Sequence, residues 1–389
     1  MMGIGTKRTA ALRVLHVGKF FPPFLGGIEN FMADLLNAQN SAGVKADALV
    51  HQHVYSWRSD VEEHNQSLIY RAACLGRLVF APVSPWFLFD YQRCAAQTKP
   101  ELLHLHMPNT SVFWLLLSPK ARQLPWVVHW HSDVLGDKAP WYLRLLYPLY
   151  RPFEKAVLAK AAAVICTSEA YAQSSQVLAQ VRHKLEIVPL GLPDVPFQTA
   201  ESRSPGPLRL LMIGRLTYYK GHQVLLNALS ALPRDSVQLT LVGEGELADV
   251  IHNQIRQLQL PNVHMAGRVS GDDINQLLDQ CDLLVLPSIE KTEAFGLVLL
   301  EAARRAKPAL VTSVKGSAMS WVVQHNQTGW VVAPGSETEL KQQIERLMAM
   351  PELCKAYGQA ARQRFQNCFV IEAVAGKIND LYARMLKSS

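Results

Sequence analysis

The sequence has 389 residues, of which 49% are apolar and 18% are charged, with a formal net charge of +7. This composition excludes a disordered or fibrous chain, and the length predicts two domains of about 150–200 residues each. No stretch approaches the roughly 18–20 continuous apolar residues of a membrane-spanning helix, and the strand-like segment that begins at Leu12 leaves no room for the apolar core of a signal peptide, so we expect a cytoplasmic protein.

Short apolar segments that are typical of buried strands alternate with helical segments along the chain. The predicted strands are 13–17, 46–51, 102–107, 126–131, 163–167 and 185–189 in the first half, and 208–213, 237–242, 263–266, 283–287, 309–312 and 329–333 in the second. The predicted helices of the second half include 222–231, 247–258, 296–306 and 337–348. Alternation of this kind indicates parallel sheets covered by helices on both faces.

One segment, at 192–207, interrupts the alternation and is rich in Pro, Ser and charge. It predicts a linker between an N-terminal domain at 1–195 and a C-terminal domain at 208–370, with a last helix at 371–387 that would pack back on the first domain. Because ligands of doubly wound sheets bind at the carboxyl ends of the strands, we expect the active site in the cleft between the two domains.

The turn after the first predicted strand contains a glycine pair, Gly26 and Gly27, at the entry to a helix. Glycine allows backbone N–H groups to approach an anion closely. A plain tight turn is the alternative for this pair. Gly3 and Gly5 precede the strand, so they do not form a dinucleotide-binding pattern.

Histidines alternate along two predicted strands, His104 with His106 and His129 with His131. Alternation places both members of a pair on one face of the sheet. A metal site is the less favoured interpretation, because no carboxylate or cysteine stands beside them at ligand spacing. We favour a single working histidine, His131 at the end of its strand, as a polar contact to a substrate. The six cysteines form no C-x-x-C pair, which argues against structural zinc or a disulfide framework.

The strand predicted at 208–213 ends at Gly214 and is followed by two cations, Arg215 and Lys220. A flexible glycine, a planar guanidinium and a point-like ammonium at the end of a strand suit a diphosphate. Two surface cations that flank a loop are the alternative.

The segment at 288–302 reads SIEKTEAFGLVLLEA and carries Glu293 and Glu301, with seven residues between them. Ala294, Phe295 and Gly296 open a predicted helix, whose free N–H groups favour an anion. Carboxylates accept hydrogen bonds from hydroxyl groups, so the segment suits a sugar, phosphates and a ribose in that order. The alternative is an acidic residue favoured by the helix dipole, with Glu301 solvated.

Taken in order, these motifs resemble the family 4 retaining glycosyltransferases, whose GT-B fold consists of two Rossmann-like doubly wound domains that face each other across a cleft. The likeness runs through GGIE at Gly26, HWHSD, GRLTYYKG, GEGEL at Gly243, GRVS at Gly267 and the segment at Glu293. It is greatest for bacterial mannosyltransferase-like members that build O-antigen or exopolysaccharide repeats. The chain departs from them at 291–292 and at 316–318, and the second departure leaves the identity of the donor open.

The resemblance implies a role for each matching position. His131 would contact the donor sugar, Arg215 and Lys220 would neutralise the diphosphate, and Glu293 would hydrogen-bond the transferred sugar. Glu301 would bind the ribose. Other positions would also bind the donor: the first glycine pair would contact a phosphate, the GRV segment would lie beside the base, and the amides of AFGL would hold sugar and phosphate. The donor-binding residues implied in addition are Gly26, Gly27, Gly214, Gly243, Gly267, Arg268, Val269, Ala294, Phe295, Gly296 and Leu297.

The implied reaction transfers a hexose from GDP-mannose or a UDP-hexose to a lipid-linked or oligosaccharide acceptor in cell-surface polysaccharide synthesis. The sequence contains no Asp-x-Asp, so we expect no metal and no other cofactor, and cations with helix dipoles would stabilise the leaving diphosphate. We expect no nucleic-acid partner. A sugar-nucleotide epimerase and a non-catalytic nucleotide-sugar-binding protein are the alternatives. The segment from Glu293 to Glu301 argues against an epimerase, which would act on its donor without an acceptor, and donor turnover separates a non-catalytic protein from a transferase.

A basic and aromatic stretch suggests one further partner, an anionic membrane surface. Between Arg71 and Lys160 there are eleven Lys and Arg against five Asp and Glu, with fourteen aromatic residues. Its segment at 139–160 suits a helix at the membrane interface, although Pro148 and Pro152 argue against one unbroken helix. Packing against the domain's own core is the alternative. The residues expected to dock are Trp141, Tyr142, Leu145, Leu146, Leu149 and Tyr150, with Lys138, Arg144, Arg151, Lys155 and Lys160.

Overall fold

The computed structural model describes residues 11–24, 26–79, 81–135, 140–196, 206–269 and 271–387. The predictions for Gly3, Gly5 and Lys138, and for 197–205 of the linker, lie outside these residues. The strands of the N-terminal unit are β1 (Arg13–Val17), β2 (Lys45–His51), β3 (Asp60–His64), β4 (Ser67–Ala72), β5 (Arg77–Leu78), β6 (Ala81–Pro82), β7 (Leu102–Met107), β8 (Trp126–Trp130), β9 (Ala163–Cys166) and β10 (Leu185–Ile187). Those of the C-terminal unit are β11 (Leu208–Ile213), β12 (Val237–Val242), β13 (Val263–Gly267), β14 (Leu283–Leu286), β15 (Ala309–Thr312) and β16 (Gly329–Val332).

Helices separate most of the strands, except in the run from β2 to β6. Those of the N-terminal half are α1 (Gly27–Ser41), α2 (Phe87–Thr98), α3 (Pro119–Gln123), α4 (Trp141–Lys160) and α5 (Glu169–Ser174). Those of the C-terminal half are α6 (His222–Ser230), α7 (Ala248–Gln257), α8 (Gly271–Gln280), α9 (Leu297–Ala303), α10 (Met319–Val322), α11 (Glu337–Ala349), α12 (Glu352–Cys368) and α13 (Ile371–Lys387). None of the described helices is both long and apolar enough to span a bilayer.

The strand order of each sheet defines where a ligand site can form. In the C-terminal sheet the order is β13-β12-β11-β14-β15-β16 and every pair is parallel. In the N-terminal sheet the order is β10-β9-β8-β7-β1-β2-β4-β3, with only the edge pair of β3 and β4 antiparallel among the described strands. The direction of winding reverses between β11 and β14 and between β1 and β7, and such switch points bind ligands in doubly wound sheets.

The chain crosses between the units at two neighbouring places. The backbone N–H of Leu192 donates to the carbonyl of Phe369 at 3.0 Å, and the N–H of Ile371 donates back to Leu192 at 2.9 Å. Leu192, Phe295 and Phe369 belong to one apolar cluster that runs through both units. Beyond the second crossing, α13 packs against α1 of the N-terminal unit. The C-terminal helix therefore completes the N-terminal half.

Helix α4 corrects one expectation from the sequence. It runs unbroken from Trp141 to Lys160 with Pro148 and Pro152 inside it. Both prolines lie on the exposed side of the helix, where water can pair with the carbonyl groups that lose their N–H partners.

Candidate active site

Glycine stands at or directly after the end of three neighbouring strands of the C-terminal sheet, at Gly214, Gly243 and Gly267. The N–H of Gly214 donates to Val242 at 2.9 Å, and the N–H of Gly243 donates to the carbonyl of Gly267 at 2.8 Å. All three have positive φ, and a Cβ added to Gly243 would lie 2.0 Å from the Gly214 carbonyl oxygen. A side chain there would block this close approach, so glycine is required at Gly243.

Lys220 and Glu293 form a buried ion pair at the switch point of the C-terminal sheet. Lys220 ends the 3₁₀ turn that follows β11, and Glu293 lies in the loop after β14. A Cβ on Gly214 would come within 3.2 Å of the Lys220 ammonium, and the hydroxyl of Ser288 lies 3.4 Å from the Glu293 carboxylate. Burial lowers the pKa of Lys220, but the Glu293 carboxylate and Tyr219 together outweigh this effect, and the pKa is raised. Lys220 and Glu293, which the resemblance assigns to the diphosphate and to the sugar of a donor, are therefore paired with each other in this structure.

Arg215 is exposed and faces a cluster of charges on the N-terminal unit. Burial raises the pKa of Glu29, while Lys19, Arg215 and Arg77 oppose this shift electrostatically. Burial likewise lowers the pKa of Lys19. Motif order alone does not identify Lys19 and Glu29 as site residues, although both flank the glycine pair within the same motif. Because Arg215 acts electrostatically on both Lys19 and Glu29, it lies near the interface of the two units.

The glycine pair of the N-terminal unit lies opposite the start of α9. Gly26 caps α1 in an extended conformation, and a Cβ there would collide with the Glu29 carboxylate. A Cβ on Gly27 would lie 3.6 Å from the side chain of Leu297, the first residue of α9. The start of α1 therefore lies within van der Waals distance of the Leu297 side chain, just after the loop that carries Glu293.

Helix α9 is shorter than the predicted helix at 296–306. It begins at Leu297 after Gly296, whose φ is +80°, and ends at Ala303. Ala294 and Phe295 are buried, and the Ala294 carbonyl accepts from the N–H of Ala318 at 2.8 Å. The hydrogen bond from Ala318 and the burial of Ala294 and Phe295 therefore fix this loop against the body of the C-terminal unit.

Glu301 is not the freely solvated residue that the alternative interpretation expected. Burial raises its pKa, and Arg304 and Lys220 partly oppose the shift. Burial raises the pKa of Asp34 of α1 to about 6, the Glu301 charge adds to this rise, and Arg304 opposes it. Carboxyls of the two units are therefore close enough to interact electrostatically.

His131 follows β8 and is buried, with its Nε2 3.0 Å from Nδ1 of His106. Burial lowers its pKa to about 3, so the ring is neutral at physiological pH. Two histidine trios, His16 with His104 and His106, and His106 with His129 and His131, have nitrogen atoms close enough to hold a metal ion. Several of these nitrogens already pair with one another at 3.0–3.1 Å, the distance of an N–H···N hydrogen bond. The expectation of a metal-free enzyme therefore stays a prediction.

Asp133 and Lys291 join the two units beside this site. The carboxylate of Asp133 lies 3.5 Å from the Lys291 ammonium, and it accepts from Trp130 Nε1 at 3.1 Å and from Ser175 Oγ at 2.8 Å. Both residues stand within motifs quoted above, but nothing in the sequence pairs them. The pair anchors the Glu293 loop to the strand that ends before His131.

Arg268 and Val269, which are predicted to lie beside the nucleotide base, are at the edge of the site. Arg268 is exposed and Val269 is half-buried after β13, the edge strand of the C-terminal sheet. They are separated from Lys220 by the ends of β12 and β11. This position suits the outer end of an extended ligand, as a base contact requires.

Known proteins match most of the chain. The family model of glycosyl transferase 4-like domains matches residues 26–191, and that of glycosyl transferases group 1 matches residues 196–364. The O-antigen chain mannosyltransferase C of Escherichia coli is 29% identical over 97% of this chain and 100% of its own length. The D-rhamnosyltransferase WbpZ of Pseudomonas aeruginosa is 30% identical over 92% of each chain.

Solved structures share the architecture. The sucrose-phosphate synthase of Thermosynechococcus elongatus superposes with a TM-score of 0.78 at 22% identity, over 97% of this chain and 100% of that one. This likeness confirms the predicted GT-B fold. With its two domains in this order, the chain belongs to the family 4 glycosyltransferases and is an enzyme of that class.

Proposed function

We propose that this glycosyltransferase transfers mannose from GDP-mannose, with retention of configuration, to a lipid-linked or saccharide acceptor in cell-surface polysaccharide synthesis in the cytoplasm. The observation that carries the proposed chemistry is the Lys220–Glu293 pair at the switch point, with Arg215 beside it. The choice of mannose is supported by the full-length likeness to the O-antigen chain mannosyltransferase. D-Rhamnose is the second candidate, because the rhamnosyltransferase relative is equally similar.

In this proposal the residues of the C-terminal unit divide the donor between them. Arg215 and Lys220 would receive the diphosphate, and the strand ends at Gly214 and Gly243 would let it approach the backbone. Glu293 would then accept hydrogen bonds from the sugar, and Glu301 from the ribose. Fixed charges of this kind act where negative charge develops on the leaving diphosphate, so they need no reorganisation during the reaction.

The acceptor hydroxyl attacks the anomeric carbon while the bond from that carbon to the phosphate breaks. The departing phosphate oxygen would take the proton of the attacking hydroxyl. His131 is neutral and would contribute a hydrogen bond to the sugar rather than a proton to the reaction. No metal ion enters this scheme.

A screen of nucleotide sugars tests the donor. GDP-mannose should raise the melting temperature and be consumed when an acceptor is present, because a ligand at 100 times its Kd stabilises the folded state by about 2.7 kcal/mol. UDP-glucose, UDP-galactose and UDP-GlcNAc serve as comparisons. Turnover of a UDP-sugar without turnover of GDP-mannose would reject the proposed donor.

We further propose that the acceptor is met at an anionic membrane surface on which α4 docks. Four apolar residues at intervals of four form one stripe along this helix, and each is more than half exposed: Trp141 at 76%, Leu145 at 68%, Leu149 at 71% and Phe153 at 51%. Tyr150 instead packs on Phe113 with ring centroids 5.0 Å apart, so the core accounts for only part of the segment.

Positive charge lies beside this stripe. Arg144, Arg151 and Lys155 are exposed on α4, and their spacing places them on one side of the helix next to the apolar stripe. Each basic residue near an anionic surface contributes about 1 kcal/mol to membrane binding. An apolar stripe flanked by cations suits a helix that lies in the interface.

Co-sedimentation with vesicles tests the docking. Binding to phosphatidylglycerol vesicles should weaken with salt and be lost when Arg144, Arg151 and Lys155 become Glu. The control variant makes the same charge change at three exposed cations of the C-terminal unit, with the substitutions Arg256→Glu, Arg346→Glu and Lys355→Glu. This variant should still bind the vesicles. Absence of binding by the unmodified protein, or equal loss in both variants, would place the acceptor in solution.

A further inference from the structure

Five buried histidines form a stack on the face of the N-terminal sheet that α1 and α13 cover. Contacting rings lie with centroids 4.4–5.6 Å apart. Burial lowers the pKa of each ring, so all are neutral at physiological pH. The five are His16, His104, His106, His129 and His131.

A continuous chain of hydrogen bonds links His131 to α1. His131 Nε2 lies 3.0 Å from His106 Nδ1, and His106 Nε2 lies 3.1 Å from His16 Nδ1. His16 Nε2 in turn lies 2.8 Å from the side-chain oxygen of Gln39. Each neutral imidazole has one N–H, so every ring in this chain can donate once and accept once.

Gln39 determines the direction of the chain. Its amide nitrogen donates to Asn379 Oδ1 at 3.1 Å and to the Tyr382 hydroxyl at 3.2 Å, both on α13. Its oxygen, which only accepts, therefore faces His16, and His16 carries its hydrogen on Nε2. The same reasoning places the hydrogens of His106 and His131 on Nε2. His131 Nδ1 is then a bare acceptor, and it has no partner among the described residues.

Tyr382 also sets the direction of a second series of hydrogen bonds, which runs through His104 to His129. Because its oxygen accepts from Gln39, its own O–H is free to donate to His104 Nδ1. His104 Nε2 then donates to His129 Nδ1 at 3.1 Å. The two branches end in adjacent rings, since His129 and His131 stack with centroids 4.4 Å apart.

We propose that Gln39, held by Asn379 and Tyr382 of α13, fixes His131 as the Nε2–H tautomer, so that Nδ1 accepts a hydrogen bond from a hydroxyl of the bound sugar. Gln39 and Tyr382 are positioning residues that act through His16 and His106. A reversed amide at Gln39 would place a hydrogen on His131 Nδ1 and turn that atom into a donor. The link to the sugar rests on the proposed role of His131, whereas the tautomer is a property of the free protein.

Nitrogen NMR of protein labelled with ¹⁵N-histidine tests the tautomer without any donor. Loss of one pair of signals in His131→Asn identifies the ring. In the unmodified protein, Nε2 should carry the hydrogen and Nδ1 should have the shift of an unprotonated imidazole nitrogen. A protonated Nδ1 would overturn the proposal, whatever the donor of the enzyme proves to be.

Variants at the start of the chain test the cause. Gln39→Leu should give a mixture of both His131 tautomers, and kcat/KM for GDP-mannose should fall by about 10- to 100-fold, the usual scale for losing a group that orients a functional histidine. Gln39→Glu, measured at alkaline pH where its carboxylate is ionised and only accepts, should give the single Nε2–H tautomer again. If another nucleotide sugar proves to be the donor, it replaces GDP-mannose in this assay.

Tyr382→Phe repeats the test with almost no change in volume, so it serves if Gln39→Leu does not fold. Ile378→Val, on the same buried side of α13 but without a polar group, is the matched control and should change neither the tautomer nor kcat/KM. An unchanged tautomer in Gln39→Leu would overturn the role of Gln39, and an unchanged tautomer in Tyr382→Phe would overturn the role of Tyr382 in holding it. A changed tautomer with unchanged kcat/KM would overturn the link to the sugar.

Discussion

Lys220 and Arg215 follow the same strand but differ in burial, and this difference separates the expected effects of their substitution. Lys220 is buried against Glu293, whereas Arg215 is exposed toward the cleft. Both are proposed to contact the leaving diphosphate, so both matter to turnover. Of these two cations, only Lys220 also neutralises a buried carboxylate, that of Glu293.

We predict that Lys220→Ala and Arg215→Ala each reduce transfer by about 100-fold or more, the scale for removing a preorganised charge from a developing anion. Lys220→Ala should also lower the free energy of unfolding, because Glu293 then stays buried without a counter-ion. Steady-state kinetics and chemical denaturation measure the two effects. Arg256→Ala, an exposed cation on α7, is the control, and near-normal turnover of both site variants would contradict the diphosphate assignment.

Gly243 is predicted to tolerate no side chain. Gly243→Ala would place a Cβ 2.0 Å from the Gly214 carbonyl at φ +140°, so the melting temperature should fall and Lys220 should be displaced. Gly267→Ala is the matched control, since its φ is also positive but no atom lies within 4 Å of the added carbon. Equal melting temperatures for the two variants would contradict a steric requirement at Gly243.

At the scale of elements, the two crossings between the units are packed tightly enough to be sensitive to one carbon atom. A Cβ on Gly191 would lie 2.9 Å from the Phe369 carbonyl and 2.9 Å from the side chain of Val374. We predict that Gly191→Ala separates the crossings and costs about 1–3 kcal/mol, as overpacking usually does. Chemical denaturation measures the cost, and Gly271→Ala, with open space around its added carbon, should cost less.

The sequence predicted twelve of the described strands and missed four, β3 to β6. Every predicted strand is present with its ends within two residues of the prediction, and most of these strands are buried on both faces and read as short apolar runs. β3 was missed because it is an exposed edge strand with three acidic residues, and β4 was missed, although it is mostly buried, because Ser67 and Arg71 shorten its apolar run. β5 and β6 were missed because they are only two residues long.

The candidate site was predictable as a set of residues but not as a set of contacts. Motif order identified Lys220 and Glu293 separately, whereas their ion pair follows from the adjacency of β11 and β14 in the sheet. The chain from His131 to Tyr382 joins residues hundreds of positions apart, and no local pattern encodes it. Only the docking of α13 on α1 brings these groups together.

For the whole molecule, buried histidines predict a loss of stability in mild acid. Burial lowers the pKa of His16, His51, His104, His106, His129, His131 and His222, to about 4 or below where a value is resolved. The unfolded chain binds these protons near pH 6.5 and the folded chain does not. The free energy of unfolding should therefore fall as the pH falls from 7 to 5.

Buried carboxyls oppose this trend, and one of them provides the check. Burial raises the pKa of Glu154 to about 7, so the folded state gains a proton there as the pH falls. Glu154→Gln removes that gain, and its stability should fall more steeply between pH 7 and 5 than that of the unmodified protein, by at most about 1.4 kcal/mol per pH unit. Denaturation midpoints at several pH values measure both slopes, and a shallower slope in Glu154→Gln would contradict the assignment.

Metal independence is predicted for the whole enzyme. Transfer rates with EDTA should equal those with magnesium or manganese, because Arg215, Lys220 and the backbone at the strand ends would stabilise the leaving group. The histidine trios make zinc a necessary further comparison. A strict requirement for any of these ions would contradict the prediction.

The packing of α13 on α1 also has a consequence for how the protein is made. A ribosome releases the N-terminal half first, and domains usually fold in that order as they emerge. Here the surface of α1 that α13 covers, and the amide of Gln39, stay open to water until α13 has been synthesised. The N-terminal unit, which is translated first, is therefore completed only after the whole C-terminal unit that precedes α13 has been made.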